Sequence, residues 1–177
     1  MKKQINSTLC LYWSTNFPYK CSRTSPKVYT VTLGIGGNIG DVKKRFNQLF
    51  LTLKNDSRFL IVQTTPLLTN PPFGYINQDD FLNGIIVVKT NLSPKQLLKQ
   101  MQRFENRFGR KRSFQDAPRT LDIDIIFIQK NGINLKIKTP ILTVPHPFWK
   151  ERDSVIIPLD LLLKIEFTNR SFHRYTQ

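Results

Sequence analysis

The 177-residue sequence predicts an α+β fold: a ferredoxin-like β-α-β-β-α-β sheet with helices packed on it and an added hairpin arm. Three observations predict it. Apolar residues recur at strand and at helical intervals in the order β, α, β, β, α, β. A helix-start signal at Ser93 and the turn dipeptide Asn131-Gly132 punctuate that order. A chain with 40% hydrophobic and 11% aromatic residues lies outside the disordered regime, and its length suits one core.

Residues 1–26 show neither period and end in the turn-prone Ser22-Arg23-Thr24-Ser25-Pro26, so they are expected to form an extension, poorly ordered beside one folded domain over residues 27–177. The β-rich run from Val28 stops at the glycine cluster Gly34, Gly36, Gly37 and Gly40. Asp41 then caps a helix with Val42, Phe46, Leu49, Phe50 and Leu53 on one face. Phe59 to Thr65 reads as a strand, and a loop with Pro66, Pro71, Pro72 and Gly74 separates it from a buried strand over Phe81 to Thr90. Ser93-Pro94-Lys95-Gln96 combines an N-cap, a proline in the first turn and a capping-box partner. It opens a helix with Leu97, Leu98, Met101, Phe104 and Phe108 inward. After a basic, irregular stretch from Arg107 to Arg119, LDIDIIFI alternates, and with Asn131-Gly132 and INLKIK it forms the hairpin arm. A short last helix is expected after Pro158.

Lys and Arg number 27 against 12 Asp and Glu, a formal charge of +15. Such a surplus attracts polyanions without saying which. Cys10 and Cys21 show no metal-ligand spacing, so a reducing cytoplasm is expected. The N-terminal stretch is too interrupted for a signal peptide, and no apolar run approaches a membrane span.

The strongest chemical feature is Asp122-Ile-Asp124. Positions i and i+2 of a strand share a face, opposite Leu121, Ile123, Ile125 and Phe127. Two carboxylates about 6–7 Å apart repel by roughly 2–3 kcal/mol at an effective dielectric of about 20. Something cationic belongs beside them. The plain alternative is a solvated pair, or one neutralised by Arg119. The functional one is a hard divalent cation such as Mg²⁺, whose octahedron substrate phosphates and water complete. Arg103, Arg107, Arg110, Lys111, Arg112 and Arg119 precede the pair, against Glu105 and Asp116. Guanidinium groups beside an acid pair form the usual apparatus of phosphoryl chemistry. The glycine cluster lacks a complete phosphate-binding pattern and reads as a tight strand-to-helix turn. His146 either contacts a nucleotide or occupies a proline-rich turn, and His173 belongs to the tail. Glu105 falls on the inward phase of its helix, where a carboxylate needs a partner, either an arginine or a ligand.

The run Ala117-Pro118-Arg119-Thr120-Leu121-Asp122-Ile123-Asp124-Ile125-Ile126 resembles the Gly/Ala-Pro-Arg-x-x-Asp-aliphatic-Asp hallmark of the 6-hydroxymethyl-7,8-dihydropterin pyrophosphokinases. Gly36-Gly37-Asn38-Ile39-Gly40-Asp41, Asp80-Phe81-Leu82-Asn83 and Val144-Pro145-His146-Pro147 with Arg152 resemble further motifs of that family, in order, across residues 28–162. The resemblance implies transfer of pyrophosphate from ATP to the hydroxymethyl group of a reduced pterin, releasing AMP, in folate biosynthesis. It implies two Mg²⁺ ions on Asp122 and Asp124, and ATP neutralised by Arg110, Arg112, Arg119, His146 and Arg152. Arg110, Arg119, Asp122 and Asp124 would be catalytic. Asn83 and the backbone of Pro71, Pro72 and Phe73 would read the pterin edge, with Phe81 stacking on its ring. A cytoplasmic monomer with no nucleic-acid or membrane partner is expected.

The departures are specific. Gln115 stands at a mostly basic position, Ala117 where glycine is commoner, Gly37 in place of serine, and the Arg110–Arg119 loop is slightly short. Ser154 falls where an aromatic residue would wall the other face of the pterin. Two rivals remain: a basic ferredoxin-like RNA-binding domain, and another transferase built on an Asp-x-Asp pair. The first would need aromatics projecting from central strands, and the acid pair would repel its ligand. Pro118-Arg119 before the pair and Val144-Pro145-His146 after it favour the pterin enzyme over the second. Lys2, Lys3, Lys20, Arg23, Lys27, Lys43, Lys44 and Arg45 lie outside the ATP contacts, leaving much of the charge unexplained by the nucleotide.

Overall fold

The computed structural model describes residues 1–111, 114 and 116–172, from residue 163 onward as backbone alone. In chain order the elements are β1 Lys2–Gln4, β2 Cys10–Tyr12, β3 Tyr19–Lys20, β4 Tyr29–Gly37, α1 Val42–Asn55, β5 Phe59–Thr64 and β6 Leu67–Asn70. There follow β7 Phe81–Thr90, α2 Pro94–Arg107, β8 Asp122–Lys130, β9 Ile133–Asn134, β10 Ile137–Lys138, β11 Thr143–Val144 and α3 Asp153–Phe172. The fold is α+β. One antiparallel sheet runs β1-β2-β6-β7-β4-β8-β9, with β5 on the second half of β7 and β3 beside β5.

The helices begin where their caps direct. Asp41 Oδ1 accepts from Lys44 N at 2.9 Å, and Ser93 and Gln96 exchange both bonds of a capping box ahead of Pro94. Phe46, Leu49, Phe50 and Leu53 of α1 and Leu97, Met101 and Phe104 of α2 bury against Val31, Leu33 and Ile35 of β4 and Ile123 and Ile125 of β8. Leu67 joins this core, while its neighbour Leu68 turns to a second cluster with Leu9, Leu11, Ile157 and Leu161. The sheet is therefore covered by α1 and α2 on one face and by α3 on the other.

Several expectations are corrected. Residues 1–26 do not stand apart: β2 pairs with β6, β3 with β5, and the fully buried Phe17 packs on Phe46 and Phe50 with ring centroids 6.3 and 6.2 Å away. Strands of two or three residues carry no period to detect. The loop expected after Thr65 contains β6, four residues that extend the first half of β7. Alternation along β8 breaks at a bulge opposite Thr32 and Leu33, so Ile125 and Ile126 are both buried. Phe127 then turns to the Asp face, edge-on to Trp149 at 5.0 Å. The INLKIK run divides: β9 closes the hairpin on β8, and β10 pairs with β11 instead. The last helix starts at Asp153, ahead of Pro158, whose missing N–H leaves the Ser154 carbonyl in the first turn without the usual donor.

Candidate functional site

Asp122 and Asp124 open β8 and point to the α3 face. Directly opposite them on β4 stand Gly36 and Gly34, so β4 sets no side chain of its own before either carboxylate. A Cβ at Gly36 would lie 2.7 Å from Asn83 Oδ1, and one at Gly37 would lie 2.6 Å from Thr120 O. These glycines serve close approach, as the strand-to-helix turn requires.

Three arginines answer the acid pair. Asp122 Oδ1 accepts from Arg110 Nη1 at 2.5 Å and Oδ2 from Arg119 Nη1 at 2.7 Å, while Arg152 Nη1 stands 3.6 Å from Asp124 Oδ2. Burial would raise the Asp122 carboxyl, but Arg110 and Arg119 outweigh it and hold it below its usual range. Asp124 has weaker help. Burial first and Asp122 second push it up to about 6 against the pull of Arg152. Glu105 is buried, pairs with Arg110 and accepts from Ile123 N at 2.8 Å; burial lifts it to about 7 despite that amide and Arg110. Its inward phase is thus met by an arginine and a strand amide. Arg152 Nε is buried and finds no acceptor among the described residues.

Two open clefts meet at the carboxylates. The smaller, about 600 Å³, is lined by Phe73, Phe81, Asn83, Asn70, Asp116, Ser154 and Val155. The larger, about 1070 Å³, runs past Leu98, Met101, Gln102 and Glu105 of α2, Arg110, and the 139–147 segment with His146. Arg119, Asp122, Asp124 and Arg152 belong to both. Burial, followed by Arg152, lowers the His146 imidazole, and its Nδ1 accepts from Phe148 N at 3.3 Å. The Arg119 guanidinium lies 5.2 Å from the Phe81 ring centroid, and Arg152 lies 5.4 Å from that of Phe73.

Of the residues singled out from sequence, Arg110, Arg119, Asp122, Asp124, His146, Arg152, Phe73, Phe81 and Asn83 line one or both clefts. Pro71 and Pro72 lie between Asn70 and Phe73 but do not line the smaller cleft. Arg112 lies outside the described residues, as do Gln115 and His173. Sequence reasoning missed Asn70, whose Oδ1 accepts from Asn83 Nδ2 at 2.6 Å and whose Nδ2 donates to Pro71 O at 2.8 Å. The only local signal was an asparagine ahead of two prolines. It also missed Gln78, which donates to Asp116 O at 2.9 Å and accepts from Asn38 Nδ2 at 2.9 Å. Asn38 in turn accepts from Arg119 N at 2.9 Å. These bonds join segments distant in sequence and leave no local pattern.

A site of two clefts sharing an arginine-bound acid pair can hold a phosphorylated donor on one side and a flat acceptor on the other. Residues 32–164 match the family model described as 7,8-dihydro-6-hydroxymethylpterin-pyrophosphokinase. The chain is 40% identical over 147 residues to the 2-amino-4-hydroxy-6-hydroxymethyldihydropteridine pyrophosphokinase of Campylobacter jejuni, covering 82% of this chain and 90% of that one. The enzyme of the same name from Helicobacter pylori is 45% identical over 133 residues, 74% of this chain and 79% of that one. A folate synthesis bifunctional protein, mitochondrial, of Pisum sativum is 35% identical over 133 residues, 75% of this chain and 25% of that longer protein.

Proposed function

The chain belongs to the 7,8-dihydro-6-hydroxymethylpterin-pyrophosphokinase family, and from that premise we infer that it transfers pyrophosphate from ATP to the hydroxymethyl group of 6-hydroxymethyl-7,8-dihydropterin, releasing AMP, in folate synthesis. The hydroxymethyl oxygen bonds to the β-phosphorus, the bond from that phosphorus to the α–β bridging oxygen breaks, AMP leaves with that oxygen, and the hydroxyl proton is released to water. The observation that carries the reading is the junction of the two clefts at Asp122 and Asp124. A group moving between two substrates must pass where both sites open.

On this reading ATP occupies the larger cleft. Arg110, Arg119 and Arg152 exchange carboxylate partners for phosphate oxygens, and the buried Nε of Arg152 gains an acceptor. His146 stays neutral and donates from Nε2, since Nδ1 already accepts from Phe148 N. The pterin enters the smaller cleft, where Asn83, set by Asn70, and the backbone after Pro71 read its polar edge and Phe81 takes one face.

The acid pair suits Mg²⁺. Two hard oxygen donors share one strand face, and Asp124 holds its charge poorly because burial and then Asp122 outweigh the guanidinium at 3.6 Å. Asp122 and Asp124 would hold the ions, which supply Lewis-acid polarisation of the phosphates when bound. Phosphate oxygens and water would fill the remaining positions, since no cluster of three or more His, Cys, Asp or Glu occurs among the described residues. We read the sheet core β8-β4-β7-β5 with α1 and α2 as ferredoxin-like. We also read the enzyme as a cytoplasmic monomer, which the free Cys10 and Cys21 fit. No described helix is long and apolar enough to cross a membrane.

The test is substitution at the junction. Asp122→Asn and Asp124→Asn should each cut turnover about 10²–10³-fold or more while circular dichroism stays native. Wild-type turnover in either folded variant would remove the acid pair from the reaction.

A further inference from the structure

A pterin is a flat bicyclic ring, and a ring wetted on one face forgoes half of its stacking and burial. In the smaller cleft Phe81 offers one aromatic face, while Ser154, at the start of α3, offers only a hydroxymethyl group. We propose that the ring of Phe73 is the second wall of the pterin site in this chain, supplying the surface that Ser154 lacks. This inference rests on the pyrophosphokinase reading and adds a specificity-determining side chain to it.

Two arginine–ring contacts support the placement. Phe81 carries the Arg119 guanidinium at 5.2 Å, and Arg119 binds Asp122 at 2.7 Å. Phe73 carries the Arg152 guanidinium at 5.4 Å, and Arg152 faces Asp124 at 3.6 Å. Each ring is therefore tied through its own arginine to a different carboxylate. Arg152 lies two residues before Ser154, and Phe73, Phe81, Ser154 and both arginines line the same cleft. Asn83, held by Asn70, lies in the same cleft where the polar edge of a bound ring would face.

Exposure agrees with this role. Phe73 is 55% exposed, whereas Phe17, Phe46 and Phe50 of the core are fully buried. A ring left in water does little for the fold but presents a ready surface to a planar ligand. Gly74 next to it has φ +85°, and a Cβ there would meet Asp116 Oδ2 at 2.6 Å, so the chain beside the ring passes close to Asp116, which lines the same cleft.

The test uses the full chain with ATP and Mg²⁺ in steady-state kinetics. Phe73→Ala should raise the pterin KM about tenfold and leave the melting temperature unchanged, with a smaller rise in the ATP KM because Arg152 loses the ring it lies on. Phe73→Tyr should keep the wild-type pterin KM and Phe73→Leu fall between the two. Ser154→Phe placed in the Phe73→Ala protein should return the pterin KM to within about threefold of wild type. An unchanged pterin KM in Phe73→Ala, or a loss in Phe73→Tyr as large as in Phe73→Ala, overturns the proposal, and the Tyr and Leu variants decide it even if the double variant does not fold. Wild-type protein that forms no AMP would instead defeat the underlying reading.

Discussion

Asp124 shows at the scale of one residue how function works against stability. Its carboxyl, pushed to about 6 by burial and by Asp122, titrates above its ordinary 3.8. A raised carboxyl favours the fold fully below the ordinary value, and that contribution disappears as pH rises through about 6. The ligand-free protein should therefore melt progressively lower as pH rises from about 4 to 6, and Asp124→Asn should remove that part of the fall, leaving the part due to Glu105, which runs on to about 7. A parallel fall in both proteins would contradict the placement. His146 carries the opposite sign. Its imidazole is lowered from 6.5, so its share of stability is present above that value and is lost as pH falls through the folded midpoint. Histidine NMR should place that midpoint below 6.5, and a value above it would mean that Arg152 and burial do not govern the ring. Asp122 and Asp124 were legible in the sequence because an alternating strand fixes which face they share. Asn70 and Gln78 were not, since each acts through a contact with a residue on another element.

At the scale of elements, legibility followed length and capping. α2 was readable because Ser93, Pro94 and Gln96 state its start and its apolar residues repeat for four turns. β7 was readable over its whole length because ten residues reveal a pattern that the four of β6 cannot. The bulge in β8 was invisible because Ile125 and Ile126 are both acceptable core residues, and the shift exists only relative to β4. The segment after β6 and the segment before β8 are joined by Gln78 and by the edge-on Tyr75–Phe114 pair at 5.3 Å. Gln78→Ala removes the side chain that bonds Asn38, Tyr75 and Asp116 and should lower kcat several-fold, because Asn38 also positions the Arg119 backbone. Unchanged kcat, with protease cleavage of the 70–80 segment no faster, would show that the bonds are incidental.

At the scale of the whole molecule, the first 26 residues and the surplus charge turn out to be partly the same matter. Lys43 and Lys2 approach the Tyr12 ring at 3.9 and 5.6 Å, so two surplus cations pack on β2. Arg45 bonds Ile39 O and Thr120 O at 2.8 and 3.0 Å, tying the start of α1 to the residue before Leu121. These are structural uses of charge that ATP does not explain. The N-terminal strands widen the sheet and deliver Phe17 to the core, so Phe17→Ala should cost about 3–5 kcal/mol in denaturant unfolding. An unaltered midpoint would return the segment to the status of an appendage. The central claim is that two clefts exchange a pyrophosphoryl group across one acid pair, and product identity tests it most directly. Purified protein with ATP, Mg²⁺ and 6-hydroxymethyl-7,8-dihydropterin, followed by ³¹P NMR, should yield AMP and the pterin diphosphate in equal amounts. Formation of ADP with a pterin monophosphate, or no AMP from folded protein that binds ATP, would contradict it.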